Sequence, residues 1–227
     1  MKHIMHRIAL VVTFVGILTS CQSEIYSCDP KIDKWAHENI STIQTMTRSE
    51  WKCVEPQRGQ ACIVACLPQQ KFDFWIEKLD QVLTLDWNNN ERDHILDLKN
   101  FICGHSQIFG PELYENENLY DIFDRFMYEW SECAQNDLHW TKQTIWSIAA
   151  SLYDVKNKNG ELELPISTKK LSITRSESTK CNCNLSHDFC GDIGIPEECQ
   201  DSDCDGTSHG CGWLIVQKCN GRCGNNA

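Results

Sequence analysis

No CxxC pair occurs anywhere in the chain, although 15 of its 227 residues are cysteine. A zinc ribbon and a thioredoxin-like redox site both need that spacing, so neither accounts for the cysteines. A nucleophile elbow, a zinc-protease helix, a phosphate loop and a paired-carboxylate motif are also missing, and no enzyme is expected. Positive charge is scarce: 21 Lys and Arg stand against 32 Asp and Glu. Such a surface repels a phosphate backbone, and nucleic acid is not an expected partner. Long hydrophobic runs are lacking too. The apolar stretch from Ile8 to Ser20 falls short of the roughly 20 residues that span a bilayer, so no permanent transmembrane helix is expected.

What that stretch does fit is a targeting signal. Lys2 and Arg7 supply the positive end, Ile8 to Ile17 the apolar run, and Leu18-Thr19-Ser20-Cys21 the cleavage region. The last four residues resemble the lipobox of bacterial lipoproteins. Residues 1–20 are therefore predicted to be a lipoprotein signal peptide, with Cys21 acylated through its thiol as the new amino terminus. An ordinary secretory signal cut nearby would instead leave Cys21 as a thiol. Acyl chains at about 0.8 kcal/mol per buried methylene would hold the protein to a membrane. Gln22, in place of Asp, implies the outer membrane in the enteric sorting scheme, so the expected location is the bacterial cell envelope. Loss of Lys2 and Arg7 takes the net charge from −11 to about −13. Setting Cys21 aside leaves an even number of cysteines, which fits an oxidising compartment.

Residues 21–155 read as helical. Asp29-Pro30 has the form of a helix start, followed at near-helical spacing by Ile32, Trp35, Ala36, Ile40 and Ile43. Thr47 and Glu50 form a capping box ahead of Trp51, and a further helix over Arg58 to Leu67 is closed by Pro68. Phe72, Trp75, Ile76, Leu79, Val82 and Leu83 mark one stripe, with Lys71, Asp73, Glu77 and Asp80 assigned to the surface. Asn88 to Asn90 are cap and turn residues before the stripe Ile95, Leu98, Phe101, Ile102. Gly104 and Gly110-Pro111 break the chain. Leu119 to Cys133 and Trp140 to Leu152 then supply the last two helices. Five or six amphipathic helices with short connections predict a mainly α fold, an antiparallel helical bundle followed by a small disulfide-rich C-terminal module. Cys28, Cys53, Cys62, Cys66, Cys103 and Cys133 could form three disulfides, or bind zinc with His94, His105 or His139.

Residues 156–180 change character. A turn signal at Asn157 to Gly160, then Glu161-Leu162-Glu163-Leu164, predicts a small hairpin. A Ser/Thr/Lys-rich linker follows, whose Lys169, Lys170, Arg175 and Lys180 would be open to a protease of basic specificity. A permanent tether is the alternative.

Residues 181–227 hold eight cysteines: Cys181, Cys183, Cys190, Cys199, Cys204, Cys211, Cys219 and Cys223. A short Gly- and Asn-rich segment cannot order itself by burying apolar surface alone, so these form a disulfide framework. Asp201, Asp203 and Asp205 before Gly206 fit the first half of a calcium loop, although Gly212 stands at the twelfth position where a bidentate Glu belongs. No other cofactor is expected. Cys181-Asn-Cys183-Asn, Asp188-Phe189-Cys190, Gly210-Cys211-Gly212-Trp213 and Cys219-Asn220-Gly221 resemble the fulvocin C-related bacteriocin family. That resemblance implies an antibacterial peptide at the end of a longer precursor, acting on neighbouring bacteria. Charge departs from simple membrane disruption: seven acids against Lys218 and Arg222 leave the module at −5. A receptor or another envelope target is expected instead of bare anionic lipid. The other reading is a non-toxic envelope lipoprotein whose module binds a glycan, a peptide or a calcium-dependent partner.

Overall fold

The computed structural model describes residues 24–164, 183–187, 189–190, 198–201, 207 and 209–224. The protein is mainly helical, with nine α-helices among the described residues and two small antiparallel strand pairs. None of these helices is long and apolar enough to cross a membrane.

Local signals decide most helix starts. Helix α1 (Pro30–Glu38) begins where the Asp29 carboxylate accepts from the Lys31 and Ile32 amides at 2.7 and 3.3 Å. The chain kinks at Asn39, whose φ of −112° and ψ of 11° divide the expected single stripe between α1 and α2 (Ile40–Ile43). Helix α3 (Arg48–Trp51) carries the Thr47–Glu50 capping box. Helix α4 (Pro56–Ala65) is followed directly by α5 (Pro68–Leu83), so Pro68 opens a helix as well as closing one. At the first helical position its missing N–H costs nothing. A second capping box, Asn88 with Glu91, starts α6 (Asn89–Gly104). After a 3-10 turn at Ser106–Phe109 come α7 (Glu112–Glu115), α8 (Glu117–Asn136) and α9 (Lys142–Ala149). The hairpin then pairs β1 (Asp154–Val155) with β2 (Leu162–Glu163).

Helix α5 buries Phe74, Trp75, Leu79 and Val82, and with them Lys71 and Lys78. Lys71, expected on the surface, is only 5% exposed because a later part of the chain covers that face. Lys78 is fully buried and donates to the Tyr153 carbonyl; burial, then the nearby Arg48 charge, push its amine well below the usual range. Arg48 is 2% exposed: it donates through Nε to Leu152 O at 2.9 Å, and pairs with Glu77 and Asp154. Lys52 completes the group at 2.6 Å from Asp154. Burial would raise the Asp154 carboxyl, but hydrogen bonds from Lys52 and Arg48 hold it below the ordinary value. These contacts tie α3, α5 and β1 together.

Helices α6 and α8 clasp each other through a reciprocal pair. His94 Nε2 donates to Trp130 O at 3.0 Å, Trp130 Nε1 donates to His94 O at 2.9 Å, and the rings stack at 4.7 Å. Residues far downstream join the same apolar core: Trp213, Leu214 and Val216 pack with the helical side chains.

Candidate functional site

The cysteine-rich segment is cross-linked by Cys183–Cys199, Cys190–Cys223 and Cys211–Cys219. Strand β3 (Glu198–Asp201) pairs with β4 (Gly221–Gly224), and Cys199 stands opposite Cys223 in that ladder. Neither bonds to the other; each reaches a different partner, which draws the sulfurs together. Those of Cys183, Cys190 and Cys199 lie within 4.8 Å of one another. Zinc takes thiolates, and sulfurs held in disulfides are not available as such ligands.

The motif Gly210-Cys211-Gly212-Trp213 makes the turn that seats this segment on the helices. Gly210 has φ of 120°, and a Cβ there would meet Val64 Cγ2 of α4 at 2.7 Å. Gly212 has φ of 64°, and its Cβ would strike the Gln217 side chain, whose Oε1 accepts from Trp213 N at 2.9 Å. Leu214 and Ile215 follow at φ of 51° and 57°, a left-handed conformation that is costly for a β-branched residue. The strained turn aims backbone carbonyls at the body. Trp75 Nε1 donates to Leu214 O at 2.9 Å, Gln60 Nε2 to Gly210 O at 3.0 Å, and the Tyr114 hydroxyl to Val216 O. Phe189 meets Trp213 edge-on at 4.8 Å.

Between the helices and the docked segment lies a cleft of about 760 Å³. Trp51, Trp146 and Tyr153 line it from the body, and Phe189, Ile215 and the Cys190–Cys223 bridge line it from the segment. His187 is also on its wall; burial lowers its imidazole, the Asp124 carboxylate opposes that, and Nδ1 has no partner among the described residues. An apolar chamber with few polar groups suits a ligand with an apolar body.

Of the predicted site residues, the six paired cysteines are described, whereas Cys21, Cys181, Cys204, Lys169, Lys170, Arg175 and Lys180 lie outside the described residues. Asp201 is exposed at the end of β3 opposite Gly221, and Asp203 and Asp205 lie outside the described residues. Cysteines of the body depart from the disulfide expectation: Cys53, Cys62, Cys66, Cys103 and Cys133 are thiols. Cys62 and Cys66 are buried in the core, and burial pushes their thiols up to about 11 and about 12. They act as small apolar side chains. Among the described residues the three sulfurs above are the only metal-like grouping, so His94, His105 and His139 are not gathered with body cysteines.

Sequence reasoning missed Lys71, Gln60 and Trp75 as docking residues. The signal available was weak: a lysine and a glutamine beside a helix stripe read as solvated. No family model, curated protein or solved structure matches the chain.

Proposed function

We propose that the protein is a latent, bacteriocin-like precursor: an exported lipoprotein anchored through Cys21, whose disulfide-stapled terminal segment acts on neighbouring bacteria once freed. On this reading the helices form an antiparallel bundle that holds the segment at the envelope, and the target is a receptor or other envelope component. One observation carries the reading. All three disulfides that join described residues have both cysteines within 183–223, so the segment is cross-linked to itself, while among the described residues its Trp213–Val216 ridge meets the body through packing and hydrogen bonds. Burying Trp213, Leu214 and Val216 contributes roughly 5 to 9 kcal/mol. A cut in the linker turns that contact into a bimolecular one, which costs about 4 to 15 kcal/mol in lost freedom. The two are comparable, so a nicked segment leaves at low concentration, and its apolar ridge becomes exposed only then.

The second reading, a resident envelope binding protein, is favoured by the cleft, which has walls from both regions and exists only while they are docked. One experiment separates them. The oxidised full-length protein is nicked at Lys169 to Lys180, fractionated under native conditions, and both fractions are applied to related strains. Release of a segment that inhibits growth, with no inhibition by intact protein, supports the precursor. A segment that stays bound through dilution and inhibits nothing sinks it in favour of the binder.

A further inference from the structure

Two bridges of the terminal segment lie against each other. The sulfurs of Cys183, Cys190 and Cys199 fall within 4.8 Å of one another although they belong to different disulfides, and the fourth sulfur, on Cys223, is bonded to Cys190. A cross-link is complete with two sulfurs, so stapling alone does not require the pairs to converge. The backbone also places three of the four independently of the sulfurs. Cys199 and Cys223 are Cα partners in the β3–β4 ladder. Cys183 joins β4 through its N–H to Gly221 O at 3.2 Å, and through Gly221 N–H to its own carbonyl at 3.1 Å. Gly221 lies beside the cluster. A Cβ there would come 2.5 Å from Cys199 Sγ and 3.2 Å from Cys183 Sγ, so the missing side chain leaves these sulfurs their space. The group is also reachable, because Cys183, Cys190 and Cys223 line the cleft between the helices and the segment.

We propose that Cys183, Cys190, Cys199 and Cys223, once reduced, form a four-thiolate site for zinc. Each bridge is opened by a dithiol, whose two hydrogens and two electrons pass to the cysteine sulfurs while the dithiol closes into its own disulfide. Two dithiols therefore give four thiols. Zinc takes the place of the four thiol protons, which leave to solvent. A tetrahedral ion with Zn–S of about 2.3 Å sets its sulfurs about 3.8 Å apart. Bonded sulfurs must spread to reach that spacing, and the Cα separations of 5.9 Å for Cys183–Cys199 and 5.5 Å for Cys190–Cys223 allow it by side-chain rotation. An all-sulfur set selects zinc over calcium or magnesium, which take oxygen ligands. The ion holds β3, β4 and Cys183 together in a reducing setting, as the two disulfides hold them in an oxidising one. This site does not depend on the release proposed above.

The test uses the full-length protein, reduced with dithiothreitol, desalted without oxygen and titrated with Co2+ as a spectroscopic stand-in for Zn2+. One equivalent is expected to raise the visible bands of tetrahedral cobalt with sulfur-to-metal charge transfer, and one equivalent of Zn2+ to bleach them. Cys190→Ser and Cys199→Ser should each lose the tetrahedral bands, while Cys53→Ser and Cys103→Ser, at exposed thiols of the body, should keep them. In the reduced chain each serine removes a ligand and no cross-link, and circular dichroism of the helices reports that the body is folded. Amide exchange in 183–224, fast in the reduced metal-free protein, should slow by about tenfold or more when zinc is added. Absence of tetrahedral bands at one equivalent, bands that survive both Cys190→Ser and Cys199→Ser, or exchange that zinc leaves fast overturns the proposal.

Discussion

Cys62 and Cys211 are almost equally inaccessible, at 0% and 6% exposure, yet one is a thiol in a helix and the other half of a disulfide. The difference follows from what surrounds them. Cys62 sits among Ala61, Ile63, Trp51 and Trp75, where apolar packing already orders the backbone and a thiol merely fills space. Cys211 sits in a turn with two glycines in positive-φ conformations, where the backbone has little else to restrain it. The terminal segment is nonetheless not independent of apolar packing, because Trp213, Leu214 and Val216 belong to the body's core. Disulfides fix the segment's internal shape; the helices supply the surface on which that shape rests.

The sharpest way to break this comparison is to reduce the protein. The three disulfides among the described residues, at roughly 2 to 5 kcal/mol each, should be lost from the segment, while the capped helices persist. Circular dichroism should retain most helical signal as amide exchange in 183–224 becomes fast; joint collapse of both regions would mean that they are one cooperative unit. Next in size is Trp213→Ala, expected to cost about 3 to 5 kcal/mol in urea unfolding because a fully packed ring leaves a cavity. An equal loss of protection in α5 would show that the ridge supports the body as much as the reverse.

Acid should act on the same joint. His209 is held at about 4 in the folded protein, and His94 and His187 are also lowered by burial. An unfolded chain takes up these protons near the ordinary value of about 6.5, so stability is complete above that pH and declines as pH falls toward about 4. Exchange of amides 209–219 across that window reads the loss, and no change for His209→Gln relative to wild type would remove His209 as the cause. Smaller still is Cys62→Ser, expected to cost roughly 1 to 3 kcal/mol from an unsatisfied buried hydroxyl, with Cys62→Ala costing less. Thr47→Ala should lose about 1 kcal/mol at the α3 cap and leave the segment's exchange unaltered.

Short-range features were legible in the sequence because they are closed within a few residues. Asp29-Pro30, Thr47 with Glu50, and the Asn157–Gly160 turn appear where their residue types require them. The stripe on α5 was legible for Trp75, Leu79 and Val82, which face the core. What it could not reveal was the burial of Lys71 and Lys78, since a lysine's exposure is set by what later covers it and not by helical period. Composition marked the disulfide segment, but which sulfurs join depends on the β3–β4 register. The docking turn was the least visible part: Leu214 and Ile215 carry positive φ where neither residue type announces it.

The hydrogen bond from Trp75 to Leu214 joins residues 139 apart, whereas each helix cap is settled within three. Closing so long a loop is slow relative to forming a helix turn. Refolding should therefore have two clocks: an early one for the helices, and a late one, gated by sulfur oxidation, for the turn that completes their core. During the interval the indole of Trp75 faces water and an empty seat, which makes it a natural optical reporter of the second clock.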